Sequence, residues 1–296
     1  MRLRHVVSII LLLSSVYASK IEFDRYTIDE GLSQNTVYKV FQDSRGYIWL
    51  GTQGGLDRFN GYDFKHYEHE SNDSNSIVNG WIRAINEDKN GLLWLGTLGG
   101  NLGWFDPYSE IGGVIDLYSN HPGFKKPRWI SNILFHGDYI FLTTRGSGLC
   151  RYNINDGSTL WYSEDSTADH YIEDQNLNDI ISINEDEILF GDRSLIILNT
   201  KTNRHKRPYN QLIEEKLGIS IDSIKVSSIS KGEDESFYIG TWSDHGLIIL
   251  NKKGTSVDQY FPLPPDSASG KVPRTMVGEI AADKSGKLWI PLWNVG

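Results

Sequence analysis

Cysteine is almost missing from this 296-residue chain: Cys150 stands alone, which excludes an internal disulfide framework and any site built from several thiolates. Proline is scarce at 9 residues and methionine scarcer at 2. A basic surplus is absent as well, since 29 Lys and Arg face 38 Asp and Glu, for a net charge of −9. That balance argues against nucleic acid as a partner, because release of phosphate counterions needs a basic surface. Beyond residue 18 no apolar run approaches the roughly 20 residues of a membrane-spanning helix. What is present in quantity is glycine, 29 residues, and aromatic side chains, with 9 Trp, 15 Tyr and 11 Phe. Few prolines with many glycines and aromatics point to many short strands joined by tight turns. The length fits two ordinary domains or one large all-β domain.

The first residues read as an address. Met1-Arg2-Leu3-Arg4-His5 is basic, residues 6–16 (VVSIILLLSSV) are apolar, and Val16-Tyr17-Ala18 ends on a small residue. This is the layout of a secretory signal peptide, 1–18, cleaved after Ala18. A retained anchor or a buried N-terminal helix are the alternatives, and the run is short for a membrane span. The exported chain is then 19–296. Cys150 reads as a small buried hydrophobe.

Self-similarity organises the remainder. Residues 47–52 (YIWLGT) recur at 92–97 (LLWLGT), 139–144 (YIFLTT), 187–192 (EILFGD), 236–241 (SFYIGT) and 287–292 (KLWIPL). The unit shows short apolar strands bounded by Gly, Asn and Asp, with no helical period. In the first copy, 36–42 (TVYKVFQ) is a strand and Asp43-Ser44-Arg45-Gly46 a turn. Residues 47–52 and 56–59 come next as strands, Asn60-Gly61 is a hairpin signal, and 62–68 is a fourth, more polar strand. Four antiparallel strands in such a repeat are the blade of a β-propeller. The fold expected is all-β, with about five complete blades and a partial sixth, over 31–70, 74–118, 125–165, 174–210, 222–262 and 271–296. One such sheet cannot bury both of its faces alone, so blades stack radially. The large residue at 49, 94, 141, 189, 238 or 289 is placed to fill the space between blades. The glycine at 51, 96, 191 and 240 allows close approach or marks a bulge, and Thr143 breaks that rule.

Residues 31–37 (GLSQNTV), 40–46 (VFQDSRG), 48–52 (IWLGT) and 54–61 (GGLDRFNG) together resemble the two-component regulator propeller repeat. The second copy is similar from Asn86 to Gly100, the third to fifth are eroded, and the sixth is short. The resemblance implies the exported, periplasmic sensor region of a bacterial signalling receptor. Such a receptor reads small molecules or glycans and passes the signal through a membrane helix to a histidine kinase or cyclic-dinucleotide synthase. It also implies a homodimer in a full-length receptor, with membrane attachment only through a downstream segment. No output domain is found in this sequence, so the chain reads as a fragment, a truncated gene or an early stop. Family members close their ring by lending an N-terminal strand to the last blade, here 21–28 (IEFDRYTI). With only two strands in the last blade, the ring is expected to be open or strained, with an exposed edge beside 287–292.

Catalytic chemistry finds no foothold. Any two of the 38 acidic residues could be paired for glycosidase work, and no spacing selects a pair. No nucleophile elbow and no His-Glu-x-x-His helix occur. His66 and His69, three apart on a strand, face opposite ways and cannot share a metal. The Asp-x-x-Gly turns lack the oxygen ligands of a calcium loop and read as structural turns. Neither catalytic residue, metal nor cofactor is therefore predicted. A binding site is placed by position, because the first strand of each blade lines the central channel. Its mouth falls at Thr36, Trp81, Trp129, Asp179, Lys225 and Met276, with Gln34, Asn35, Arg83, Arg128, Asn178 and Arg274 beside them. Of these, Trp81, Arg83, Arg128, Trp129, Lys225 and Arg274 suit a sugar or acidic glycan, aromatic faces stacking on the ring and polar groups fixing hydroxyls and acids. The alternative is that both Trp pack between blades and the arginines are solvated. At the level of function, an exported scaffold for an envelope protein and a propeller glycan lyase or hydrolase remain the competing readings.

Overall fold

The computed structural model describes residues 25–162, 170–232, 234–243, 245–251, 255–260, 276–282, 288–290 and 292–293. The predicted signal peptide lies outside them, as do residues 21–24 of the expected closing strand and Arg274. Ile28, at the end of that strand, instead opens a 3-10 turn, Ile28–Glu30, capped by Thr27.

Five four-stranded antiparallel sheets succeed one another, each in sequence order. Blade 1 holds β1 (Val37–Gln42), β2 (Ile48–Thr52), β3 (Leu56–Phe59) and β4 (Phe64–Tyr67). Blade 2 holds β5 (Ile82–Glu87), β6 (Leu93–Thr97), β7 (Leu102–Asp106) and β8 (Ile111–Ile115). Blade 3 holds β9 (Trp129–His136), β10 (Tyr139–Arg145), β11 (Leu149–Asn153) and β12 (Thr159–Trp161). Blade 4 holds β13 (Asp179–Ser182), β14 (Glu187–Gly191), β15 (Leu195–Asn199) and β16 (His205–Lys206). A helix, α1 (Pro208–Leu217), then precedes blade 5, made of β17 (Val226–Lys231), β18 (Phe237–Thr241), β19 (Leu247–Leu250) and β20 (Val257–Tyr260). Last come β21 (Met276–Val277), β22 (Ala281–Ala282), β23 (Leu288–Trp289) and β24 (Leu292–Trp293). β21 pairs with β24 and β22 with β23, which makes the first two strands of a sixth blade. The first strands β1, β5, β9, β13, β17 and β22 lie against one another in that order, the radial arrangement of a propeller.

The periodic tryptophan is the wedge between blades. Trp49 is fully buried among Leu56, Ile77, Val78, Ile82 and Phe105, the last four from the loop and strands of blade 2. Its indole Nε1 donates to Asp43 Oδ2 at 2.9 Å, and the same carboxylate accepts from the backbone N–H of Arg45 at 3.0 Å and Tyr47 at 2.9 Å. One buried acid thus shapes the turn and holds the wedge. Gly46 closes that turn at φ +93°, a conformation open to glycine. Asp88 repeats the arrangement with Trp94 in blade 2. The turn acids are structural, as the sequence predicts. Gly51 shows why the repeat needs a glycine: a Cβ there would lie 2.7 Å from the Ile82 carbonyl oxygen of the next blade.

The seam between the sixth and first blades differs from the others. Ile85, Ile133, Ile180 and Ile229 occupy equivalent places in β5, β9, β13 and β17, and the preceding blade buries all four. Their counterpart in β1, Val40, is 57% exposed. Among the described residues, blade 1 therefore lacks on that side the cover that its counterparts have. Among the described residues an ion pair joins Lys39 of β1 to Glu279 of the partial blade. Of the residues at the edge expected beside 287–292, Leu288, Trp289, Ile290 and Leu292 are described, and Trp289 is 45% exposed.

Candidate functional site

The first strands of blades 1, 2, 3 and 5 carry one extra residue relative to their second strands, a β-bulge near the start of each. The extra residues are Tyr38, Arg83, Ser131 and Ser227. A bulge frees a side chain from ladder pairing and re-aims it. Here all four line one cavity of about 780 Å³ at a mouth of the channel. Lys39, Asn132, Asp179 and Glu279 form its deeper level.

An aromatic and cationic stack runs along its wall. Trp81 lies nearly parallel to Tyr38, 13° between planes with centroids 5.7 Å apart. The Arg83 guanidinium sits 4.4 Å from the Tyr38 ring centre and 4.6 Å from that of Trp129. Arg145, on the far side, lies 5.7 Å from the Trp129 centre and pairs with Asp192 at 3.1 Å. Asn178 also donates to Asp192, at 2.9 Å. Cation–π contact of this kind favours charged guanidinium against a ring face. Burial holds Arg83 below its ordinary proton affinity, opposed by Tyr38 and reinforced by the Arg145 charge. It stays a cation nonetheless.

At the deeper level Asp179 accepts from the Ile229 N–H at 2.6 Å, from the Ile180 N–H at 2.8 Å and from the Asn132 amide. It thereby ties blade 4 to blades 3 and 5. Burial pushes its carboxyl up to about 6, and the Glu279 charge adds to the shift while Lys39 and the backbone bonds oppose it.

Charge decides what this lining can hold. Lys39, Arg83, Arg128, Arg145, Arg193 and Lys225 face it against Asp179, Asp192 and Glu279. The mouth is a local cationic excess in a chain of net charge −9. Arg128, Arg193 and Lys225 are exposed around its rim, where Trp242 also stands at 43% exposure.

Of the residues chosen from sequence, Arg83, Arg128, Trp129 and Lys225 meet in this cavity. Trp81 does not line it. Instead its ring packs on Tyr38 of the neighbouring blade, the alternative weighed for it. Asp179 is not at the mouth, because β13 shows no bulge and its register places Asp179 opposite Gly191, level with Lys39 opposite Gly51. Thr36 is exposed away from the lining. Tyr38, Arg145, Ser131, Ser227 and Asp192 were missed. Only their positions at strand starts or ends signal them, and a bulge leaves no mark in the sequence.

Another cluster brings Ser, Asp and His together. Ser33 Oγ donates to Asp57 Oδ2 at 2.8 Å, the Ser33 N–H does so at 2.9 Å, and His66 Nδ1 meets Asp57 Oδ1 at 2.9 Å. The acid stands between the other two, so the imidazole cannot take the serine proton. This is a strap holding the lead-in loop to β3. His69 bonds the Ile77 carbonyl instead of sharing a ligand with His66.

Fold and cavity together define a propeller with a small-molecule-sized site at one channel mouth. The sequence profile of the Two component regulator propeller matches residues 31–54 and 76–99, so those two segments are similar to its repeats. Histidine kinase P4 of Formosa agariphila is 42% identical over 59 residues, 20% of this chain and 4% of that protein. Among solved structures, the extracellular domain assigned to hybrid two component system BT3049 of B. thetaiotaomicron matches with a TM-score of 0.62 at 18% identity. That match covers 92% of this chain and 41% of the other, so the chain spans less than half of that domain. Virginiamycin B lyase from Staphylococcus aureus matches with a TM-score of 0.60 at 15% identity, covering 86% of this chain and 76% of the lyase. At such identities the structural likenesses establish the propeller fold. Among the described residues no helix is long and apolar enough to cross a membrane.

Proposed function

We propose that this chain is the ligand-sensing propeller module of a bacterial two-component-type receptor, working in the periplasm, with its ligand bound at the cationic mouth of the channel. The observation that carries the reading is the pairing of segments similar to the family's repeats in blades 1 and 2 with an open cavity of cationic excess built from the bulged first strands. The kinase and the extracellular domain it resembles are signalling proteins, which supports the same class. Binding acts in such a receptor by favouring one arrangement of the propeller relative to the neighbouring domains. Transmembrane and output machinery would be supplied by other parts of the receptor, and dimerisation would belong to that assembly.

The test is genetic. An in-frame deletion of 19–296 from the native gene product, leader retained, is expected to abolish the ligand-dependent transcriptional response of the host. A response that persists overturns the sensor reading, and loss of a co-purifying envelope protein in its place supports a scaffold. Sequencing the mature N-terminus checks export, with Ser19 expected as the first residue.

A further inference from the structure

Resting on the reading that the channel mouth is the binding site, we propose that what docks there is an acidic peptide segment of a protein partner, with one of its carboxylates held by Arg83. The rings of the wall are already spent. Tyr38 meets Trp81 and the Arg83 guanidinium, and Trp129 meets Arg83 at 4.6 Å and Arg145 at 5.7 Å. A sugar ring is held largely by stacking on an open aromatic face, and these three rings turn theirs to the protein's own groups. What the stack leaves to a partner is charge and hydrogen-bond donors.

Among the described residues, four cations of the mouth have no acid of the protein bonded to their side chains: Arg83, Arg128, Arg193 and Lys225. The acids of the lining are engaged elsewhere, Asp192 with Arg145 and Asn178, Glu279 with Lys39, and Asp179 with Asn132 and two backbone N–H groups. The four cations belong to blade 2, the lead into blade 3, blade 4 and the lead into blade 5. They are therefore spread along an arc of the mouth, and all but Arg83 are exposed. One anionic group cannot reach all of them. A chain that carries several carboxylates on flexible stems can.

Arg83 supplies the specific contact. Its guanidinium lies over the Tyr38 and Trp129 rings, at 4.4 and 4.6 Å, which fixes its plane and leaves its N–H donors without an acceptor among the described residues. Such a fork matches the two oxygens of a carboxylate. Being half-buried, it is screened less by water than the exposed cations around it. Trp242, also in the lining, offers apolar contact to the side chains between the acids. The chain as a whole carries −9, so its general surface repels an acidic segment while the mouth draws it in.

The experiment is calorimetric titration of the folded protein with end-capped hexaglutamate, uncharged hexaglutamine and hexagalacturonate, which carries as many carboxylates on sugar rings. Hexaglutamate is expected to bind at least about tenfold more tightly than either of the others, and added salt to weaken it. Arg83→Gln is expected to cost at least about tenfold. Arg128→Gln and Lys225→Gln, at exposed positions safe for folding, are expected to cost about two- to fivefold each. Lys201→Gln removes the same charge from a side chain 72% exposed at the opposite end of blade 4, and is expected to change nothing. No binding of hexaglutamate overturns the peptide and leaves the sensor reading standing. A loss as large for Lys201→Gln as for Lys225→Gln overturns the proposal as general attraction between charges. Hexagalacturonate that binds as tightly as hexaglutamate and is lost in Arg83→Gln removes the peptide and keeps the mouth as the binding site. Hexaglutamate binding indifferent to all three mouth substitutions removes the site itself, and with it the reading on which the proposal rests.

Discussion

Blades 1 and 2 and blades 4 and 5 solve the same packing problem with different parts. In the first pair an indole fills the gap and is bonded to a turn acid, Trp49 to Asp43 and Trp94 to Asp88. In the second pair the equivalent residues are Leu189 and Tyr238. The volume that Leu189 leaves is taken by α1, which buries Tyr209 and Ile213 against Leu189, Val226 and Phe237. Tyr209 and Phe237 meet edge to face at 6.0 Å. The difference teaches that a blade junction needs its volume filled and leaves the source of the filler free. It also explains how the repeat could erode in blades 4 and 5 while the propeller persists.

Substitutions can break this comparison. Trp49→Ala removes a fully buried wedge, and its expected cost is about 3–5 kcal/mol, read as a lower urea midpoint. Ile213→Ala tests whether α1 is an equivalent filler. Its side chain is fully buried on a helix with no counterpart among the described residues of the other blades, and a loss of about 2–4 kcal/mol is expected. A cost below about 1 kcal/mol would make the helix an ornament and end the equivalence. A pH series sharpens the contrast further, since the two pairs also bury acids differently. Asp43 serves an outer turn, whereas Asp179 ties blades together at the channel. The folded Asp179 carboxyl sits near 6, above its unfolded value, so the folded state holds that proton more tightly. Its contribution to stability is complete below about pH 4 and is lost as the pH rises through 6, by about 2–3 kcal/mol. Asp179→Asn should flatten denaturation curves across that window. An unchanged pH profile would show that the bonds from Ile229, Ile180 and Asn132 fully offset burial.

Much of the fold was legible in advance because the wedge recurs in the chain. The strands expected at 36–42 and 47–52 are observed as Val37–Gln42 and Ile48–Thr52. The turn acids and Gly51 also read correctly, since each does one local job that its residue type announces. The helix was missed although Pro208 opens it, Gly218 ends it in a left-handed conformation, and Leu212, Ile213 and Leu217 recur at helical spacing. At 10 residues it is short, and Leu212, Ile213 and Leu217 fall between the blades expected at 174–210 and 222–262, where no element is expected. The site was half legible for a related reason. Cations near strand starts can be counted from sequence, but alignment by copy assumes equal register. Blade 4 lacks the shift seen in blades 1, 2, 3 and 5, so Asp179 was placed at the wrong depth.

The extruded residues carry an evolutionary consequence. Tyr38, Arg83, Ser131 and Ser227 take no place in the ladder register of their strands. The ladder therefore sets no demand on their side chains, and what restrains Tyr38 and Arg83 is their contact with Trp81 and Trp129 of the adjacent blades. Chemical taste at the rim is thus free to drift from one descendant to the next, while the architecture that presents it stays the same.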